Sequence, residues 1–509
     1  MPAAAGGHSL DWFARPGVWM ALGVALALLL RAPWFDAALG RDEGGVAFVA
    51  QNWHGGGEFA YGSWFLDRPP LLVALYRLAG DTEVGIRVLG AVAASLLVVL
   101  STALAVRVGG RRAAPWAAGI SAVLASSFAI RSVYTPAELL AVVPSCASVL
   151  LLVVGLQTRR LWAFAGAGAL AATALLVKQS FGDALVAGFV ALAAAKLVGG
   201  VSWRESGRRV AAYGGGVAAV ALALFVWAWS MHVSAHSLWY ATFGFRLDAV
   251  SALSGSGFGG RISKLGSPFL DSGLAVAVVL AVVGVARLRA QPIVRVVLAA
   301  WVLAAVIGVL LGGSYWPHYL IALIPPAAAG AAWGLARHPR WVGVLAVCAI
   351  GVPTALNAFT VARHDSAGQE PSAVTIGHYL HARALPGQTA YVLYAKVNVV
   401  YYAGLRDPFP YNWSLMMRAV PGAQARLRHL LASGQRPTWV VKADSAHSFG
   451  LDRSGATKRL LSAHYRQAGT VCGFPILLAR GAAAGPAPQV TACGPAGGSA
   501  ALPTSSGVG

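Results

Sequence analysis

Charge is scarce in this chain. Of its 509 residues 11% are charged and 57% are hydrophobic, roughly half the charged share of an ordinary soluble domain. A water-soluble fold is excluded on that ground. Acidic residues are scarcer still, 18 against 39 Lys and Arg, for a net charge of +21. Such an excess suits a nucleic acid, but the basic residues fall in short clusters between apolar runs rather than along one face, so no nucleic-acid partner is expected. Cysteine is sparse as well. Cys146 and Cys348 lie inside apolar runs and read as inert packing residues, while Cys472 and Cys493 fall in the polar C-terminal region. A disulfide is one reading of that second pair, and no CxxC metal pattern competes with it. No internal repeat is visible. The first apolar run, Gly17 to Leu30, is followed by no convincing small-residue cleavage site and reads as an uncleaved first helix.

What is present is a long series of apolar runs. A helix needs roughly 20 apolar residues to cross the hydrocarbon core. That ruler places helices near 17–34, 85–106, 113–131, 137–156, 161–178, 180–199, 210–231, 272–288, 293–312, 317–337 and 340–361, about eleven in all. If they alternate, the basic loops carrying Arg107, Arg111, Arg112, Arg159, Arg160, Lys196, Arg204, Arg208, Arg209, Arg287, Arg289, Arg295, Arg337 and Arg340 share one side. The opposite short connections hold only Arg131 and Lys178. The asymmetry predicts a multi-pass protein of the cell membrane with its N-terminus in the cytoplasm and its C-terminal domain extracytoplasmic.

The expected architecture is therefore an all-α polytopic membrane bundle with a small C-terminal extracytoplasmic α/β domain. Residues 1–362 form the membrane module, with outer loops at 35–84 and 232–271. Residues 363–480 change character: "TAYVLYAKVNVVYYAG" and "PTWVVKA" read as short buried strands, and "ARLRHLLASG" and "TKRLLSAHY" have helical spacing. Residues 481–509, rich in Ala, Gly, Pro and Ser, lack apolar periodicity and read as a disordered tail.

The few acids are unevenly placed. Asp36, Asp42, Glu43, Glu58, Asp67, Asp81 and Glu83 crowd into the first outer loop, whereas residues 85–361 hold only Glu138, Asp183, Glu205, Asp248 and Asp271. A solvated loop attracts charge for bland reasons, but here the arrangement is specific. Asp42 and Glu43 open a stretch that predicts an amphipathic helix on the membrane surface. Adjacent residues point in different directions on a helix, so one carboxylate can face a cavity while the other caps, hydrogen-bonds or holds a metal. The loop re-enters the membrane through Asp67-Arg68-Pro69-Pro70, stiffened by its two prolines.

The pattern "RDEGGVAFVAQ…FAY…LDRPPLLVALYRL", followed by Arg87, resembles the first outer loop of the GT-C glycosyltransferases, in particular the protein O-mannosyltransferase and lipid A aminoarabinose transferase group. "YTPAELL" at 134–140 is similar to that group's second acidic site and places Glu138 there, although "TPAE" stands where several relatives have Asn-x-Glu. "LLVKQSFG" at 175–182 looks like its Lys-Gln turn, and "YWPHYLIALIPPAAAG" at 315–330 like its His-Tyr helix start. The resemblance implies an integral membrane enzyme that moves a sugar from a polyprenyl-phosphate donor to a glycan, lipid or protein acceptor on the outer face of the membrane.

The residues fit that chemistry. An acceptor hydroxyl needs a carboxylate base near the anomeric carbon, for which Asp42 is the candidate with Glu43 as its support. One base suffices when phosphate leaves directly with inversion, whereas glycosidases need a second carboxyl for a poor leaving group. Substrate-binding candidates are Asp67, Arg68, Glu138, Lys178, His318 and Tyr319, with Arg246 a weaker choice in a long loop. Plainer roles stand beside these: Lys178 as a snorkelling residue at a helix end, His318 as a helix cap, Glu138 as the lining of a wet vestibule. No cofactor is required, and a divalent metal at the Asp-Glu pair is left open. A transporter or lipid-linked sugar flippase is the alternative, but it predicts paired broken helices in two related halves, which the sequence lacks.

Overall fold

The computed structural model describes residues 15–253, 258–288, 291–364, 371–490 and 493. The chain divides into two compact units, one formed by residues up to 37 with 49–360, the other by 38–48 with 361 onward.

The first unit is a helical bundle. Chain order gives α1 (Pro16–Arg31), α2 (Arg41–Gln51), α3 (Pro70–Leu78), α4 (Glu83–Gly109), α5 (Ala114–Leu124), α6 (Ala137–Thr158), α7 (Leu161–Val177), α8 (Asp183–Leu197) and α9 (Trp203–Ser230). The short helices α10 (Ala235–Trp239), α11 (Phe245–Leu253), α12 (Phe258–Ile262) and α13 (Gly266–Asp271) lead to α14 (Leu274–Ala286), α15 (Pro292–Leu311), α16 (Ile324–Leu335) and α17 (Arg340–His364). Local chemistry sets many of the starts. Thr82 caps α4 by accepting from the Gly85 N–H at 3.1 Å, Ser202 caps α9 through Glu205, and prolines open α1, α3 and α15.

Every stretch expected to cross the membrane carries helix, but the lengths differ. Among the described residues seven helical stretches are long and apolar enough to span, and the pair 263–271 and 274–286, bent by 82°, is an eighth candidate. The run expected at 113–131 is cut short because α5 ends at Leu124. The turns that follow wrap the buried Arg31 guanidinium, which donates to the carbonyls of Ala125, Ser132 and Tyr134 at 3.0, 2.5 and 3.0 Å. That satisfies a charge no lipid could solvate.

The helices pack closely through small residues. A Cβ on Gly168 of α7 would strike the Tyr213 carbonyl of α9, and one on Gly216 would strike that of Ala165, so these two helices meet backbone to backbone. Gly284 and Gly330 do the same for α14 and α16. Leu222, Phe225 and Trp229 on α9 and Leu345, Leu356 and Phe359 on α17 remain exposed, the surface expected of helices that face lipid. The protein is a multi-pass membrane protein.

The second unit is an α/β domain. It contains α18 (Pro371–Arg383), β1 (Ala390–Val392), α19 (Asn398–Ala403), α20 (Ser414–Ala419), α21 (Ala423–Ala432), β2 (Trp439–Val441), α22 (Ala456–His464), β3 (Tyr465–Val471) and β4 (Phe474–Ala479). The sheet order is β1-β2-β4-β3, with β1 and β2 parallel and the other pairs antiparallel. The expectation of strand through "TAYVLYAKVNVVYYAG" needs correction, because the strand stops at Val392 and α19 follows. Tyr394 and Lys396 both take positive φ, 67° and 63°, which breaks the extended chain. Strands β3 and β4 turn through Cys472 and Gly473, whose φ values of 51° and 80° are those of a tight two-residue hairpin.

The expected disorder after residue 480 also needs correction as far as 490. Gly485 exchanges hydrogen bonds with Arg383, Gln388 donates to the Ala483 carbonyl at 2.8 Å, and Cys493 is disulfide-bonded to Cys472. These are hydrogen bonds to the tail's backbone and a covalent link, which need no apolar periodicity. The remainder of the tail lies outside the described residues.

Candidate active site

The acid-bearing helix α2 begins in the second unit. Gly44 and Gly45 let it lie directly on the domain: a Cβ on Gly44 would overlap Asn398, and one on Gly45 would overlap the Trp413 ring and Val397. The preceding backbone is gripped as well. Leu39 N–H donates to the Tyr402 hydroxyl at 2.6 Å, and the Asn398 amide donates to the Leu39 carbonyl at 3.2 Å. Helix α2 is therefore not the amphipathic surface helix expected from the sequence, since Val46, Ala47, Phe48, Val49 and Ala50 are all buried.

The two carboxylates separate. Glu43 is buried and its Oε2 accepts from the Gly40 N–H at 3.1 Å, the return half of a capping box. Asp42 is exposed, and its Oδ1 accepts from the Trp413 indole N–H at 3.1 Å. Other carboxylates of this unit have structural attachments. Asp452 caps α22 through the N–H groups of Thr457 and Lys458, and Asp407 accepts from the Phe409 N–H at 2.8 Å while burial pushes its carboxyl well above the usual range. A metal fits the pair poorly, because Glu43 turns inward to its cap while Asp42 faces out. Among the described residues no group of three or more His, Cys, Asp or Glu is arranged to hold a metal ion.

The bundle holds a second polar cluster. Glu138, in the first turn of α6, and Lys178, at the end of α7, form a buried ion pair. His318 Nε2 lies 3.5 Å from the same carboxylate oxygen, and the Lys178 ammonium lies 4.7 Å from the centre of the Tyr319 ring. Beside this group, Asp67 bridges Arg68 and Arg246, each at 2.7 Å. The Gln179 amide donates to the Asp67 carbonyl at 3.0 Å, so the Lys-Gln turn stitches the two groups together. The structure thus assembles Asp67, Arg68, Glu138, Lys178, His318 and Tyr319 in the bundle, while Asp42 and Glu43 belong to the other unit. Arg246, a weaker candidate by sequence because of its long loop, is a full member. Gln179, part of the Lys-Gln turn noted in the sequence but not a substrate-binding candidate there, is a member as well.

Glu138, Lys178, Gln179, Arg246 and Tyr319 line one part of a cavity of about 590 Å³, whose remaining wall is largely apolar, with Val186, Val190, Phe243, Leu303 and Ile307. Asp183 also lines it, its Oδ2 held by Ser145 at 2.8 Å and Trp301 at 2.6 Å. At the edge of the first loop, Arg87 clamps the Ala37 carbonyl at 3.0 and 3.2 Å and lies 5.1 Å from the Tyr134 ring centre.

Comparison with known proteins fits this architecture. Residues 67–229 match the family described as dolichyl-phosphate-mannose-protein mannosyltransferase, a stretch that includes Asp67, Arg68, Glu138 and Lys178. The crystal structure of ArnT from Cupriavidus metallidurans bound to undecaprenyl phosphate aligns with a TM-score of 0.63 at 15% identity, covering 92% of this chain and 99% of that one. The archaeal oligosaccharyltransferase AglB from Archaeoglobus fulgidus, in complex with an inhibitory peptide and a dolichol-phosphate, aligns with a TM-score of 0.55 at 13% identity over 84% of this chain and 69% of that one. No curated protein matches by sequence. At 13–15% identity the likeness to these structures is one of fold, and the family match adds residues 67–229 to it. The chain is similar in fold to ArnT along nearly its whole length.

Proposed function

We propose that the protein transfers a glycosyl group from a polyprenyl-phosphate donor to an acceptor hydroxyl on the outer face of the membrane. The observation that carries this reading is the two-faced cavity: Lys178, Arg246 and Gln179 at one part, beside the carboxylates of Glu138 and Asp183, and apolar side chains over most of the rest. A lipid phosphate has the same division. Its phosphate suits fixed cations and its first isoprene units suit the apolar wall. Asp42 accepts the proton of the acceptor hydroxyl as the new bond forms at the anomeric carbon. The carbon–phosphate oxygen bond breaks, the lipid phosphate leaves with its electron pair, and the configuration inverts. The family and structures that match are transferases and give the transporter alternative no support.

The test is transfer of radiolabelled sugar from a polyprenyl-phosphate donor by the purified protein in proteoliposomes. Covalent product is expected. Arg246→Gln and Arg68→Gln should each raise the donor concentration for half-maximal rate by about tenfold, the scale of one hydrogen bond to a charged group. Carrier movement across the bilayer without covalent product would overturn the reading.

The second unit belongs outside the membrane, with the N-terminus in the cytoplasm. The one-sided basic loops support this, and so does the Cys472–Cys493 disulfide, which belongs in an oxidising compartment. Ser445 is exposed on that unit. In a Cys348→Ser background, Ser445→Cys should react with a membrane-impermeant maleimide on intact cells. Labelling only after lysis would reverse the orientation.

A further inference from the structure

We infer that Trp413 is a positioning residue for Asp42, so that the C-terminal domain itself fixes the base. The inference rests on Asp42 acting as the base. Asp42 is exposed in the first turn of its helix, where an Asp side chain has several open rotamers. The indole N–H of Trp413 restrains it, donating to Oδ1 at 3.1 Å across 371 residues of sequence. The donor is itself immobilised. Its ring lies against Gly45, where a Cβ would overlap two ring carbons, and the segment before Asp42 is clamped at Leu39 by Asn398 and Tyr402. An indole suits this task because it donates and cannot accept, so it holds one carboxylate oxygen without competing for the acceptor's proton. The other oxygen remains available to the substrate.

Removal of the N–H with the ring retained should therefore lower turnover without weakening donor binding. Trp413→Phe should reduce kcat by roughly ten- to twentyfold, the lower end of the scale of one lost hydrogen bond to a charged group, with the donor KM unchanged. Replacement of Trp413 by β-(3-benzothienyl)alanine keeps the bicyclic ring and lacks only the donor, so it should give the same loss at unaltered thermal stability. A double-mutant cycle separates orientation from general packing: with Asp42→Asn in place, Trp413→Phe should cause no further loss. A benzothienyl variant with wild-type kcat, beside a crippled Asp42→Asn, would overturn the positioning role alone. Equal Trp413→Phe losses with and without Asp42→Asn would do the same. Wild-type turnover of Asp42→Asn would instead remove the base assignment on which the inference rests.

Discussion

Asp42→Asn should lower turnover by roughly 100-fold or more, the loss typical of removing a general base, while folding and donor binding persist. The geometry makes this a clean substitution. The Asn carboxamide oxygen can still accept from the Trp413 indole, so the shape of the site and the grip of the domain on α2 survive while basicity is lost. The neighbouring carboxylate cannot substitute for it, because Glu43 is buried with Oε2 committed to the Gly40 N–H. Glu43→Gln keeps an acceptor for that N–H and so keeps the capping box, and it should cost less than about tenfold in turnover with little change in stability. Initial rates at saturating donor, with thermal unfolding as control, decide the matter. A well-folded Asp42→Asn enzyme with near-normal turnover would remove the assignment, and an inactive Glu43→Gln beside it would transfer the role.

Breaking the Glu138–Lys178 pair should destabilise the bundle by about 3–5 kcal/mol, since either single substitution leaves the other charge buried without its partner. The side chains are 3% and 5% exposed, so water offers little relief. Glu138→Gln strands the ammonium. Lys178→Gln strands a carboxylate whose other close neighbour is His318 at 3.5 Å. The double variant Glu138→Gln with Lys178→Gln removes both charges and should recover most of the stability, but not donor affinity, because the cation that faces the cavity is gone. Intrinsic fluorescence unfolding in mixed micelles measures the first effect and donor titration the second. Single variants within about 1 kcal/mol of the unaltered protein would show that the pair is not buried in the folded bundle. This coupling also makes Lys178→Gln a poor probe of phosphate binding by itself, which is why Arg68 and Arg246 serve better.

The places of the helices are legible because, in a chain so poor in charge, some twenty apolar residues in a row suit little besides a membrane-crossing helix. Helices α21 and α22 are legible from the spacing of Leu427 and Leu431 and of Thr457 and Leu461, which the fold buries. The β3–β4 hairpin is not, because its turn at Cys472-Gly473 lacks the Asn-Gly or Asp-Gly signature, and an Ala- and Gly-rich context hides the alternation. Arg31 has the sequence character of a basic end to the first helix, yet it is buried and bonded to carbonyls about a hundred residues away. At the candidate site, individual residues carry signal and their partners do not. Glu138 and Lys178 stand 40 residues apart and Asp67 and Arg246 further still, and nothing local in either segment encodes which opposite charge it will meet. Trp413 has no motif at all, and its relation to Asp42 exists only in three dimensions.

The placement of residues 38–48 in the same unit as residues 361 onward has a consequence for biogenesis. This segment leaves the ribosome early, but Asn398, Tyr402 and Trp413, which hold Leu39, Asp42 and Gly45, are translated only after the whole bundle. Until then a glycine-notched piece of helix with a buried apolar face has nothing to bury it. The second unit cannot close by folding from one end, as a contiguous domain does during synthesis. Its completion waits for membrane insertion of α17, so the acid-bearing turn reaches its final form among the last steps of maturation, and a protein truncated within the last third would carry Asp42 without the frame that orients it.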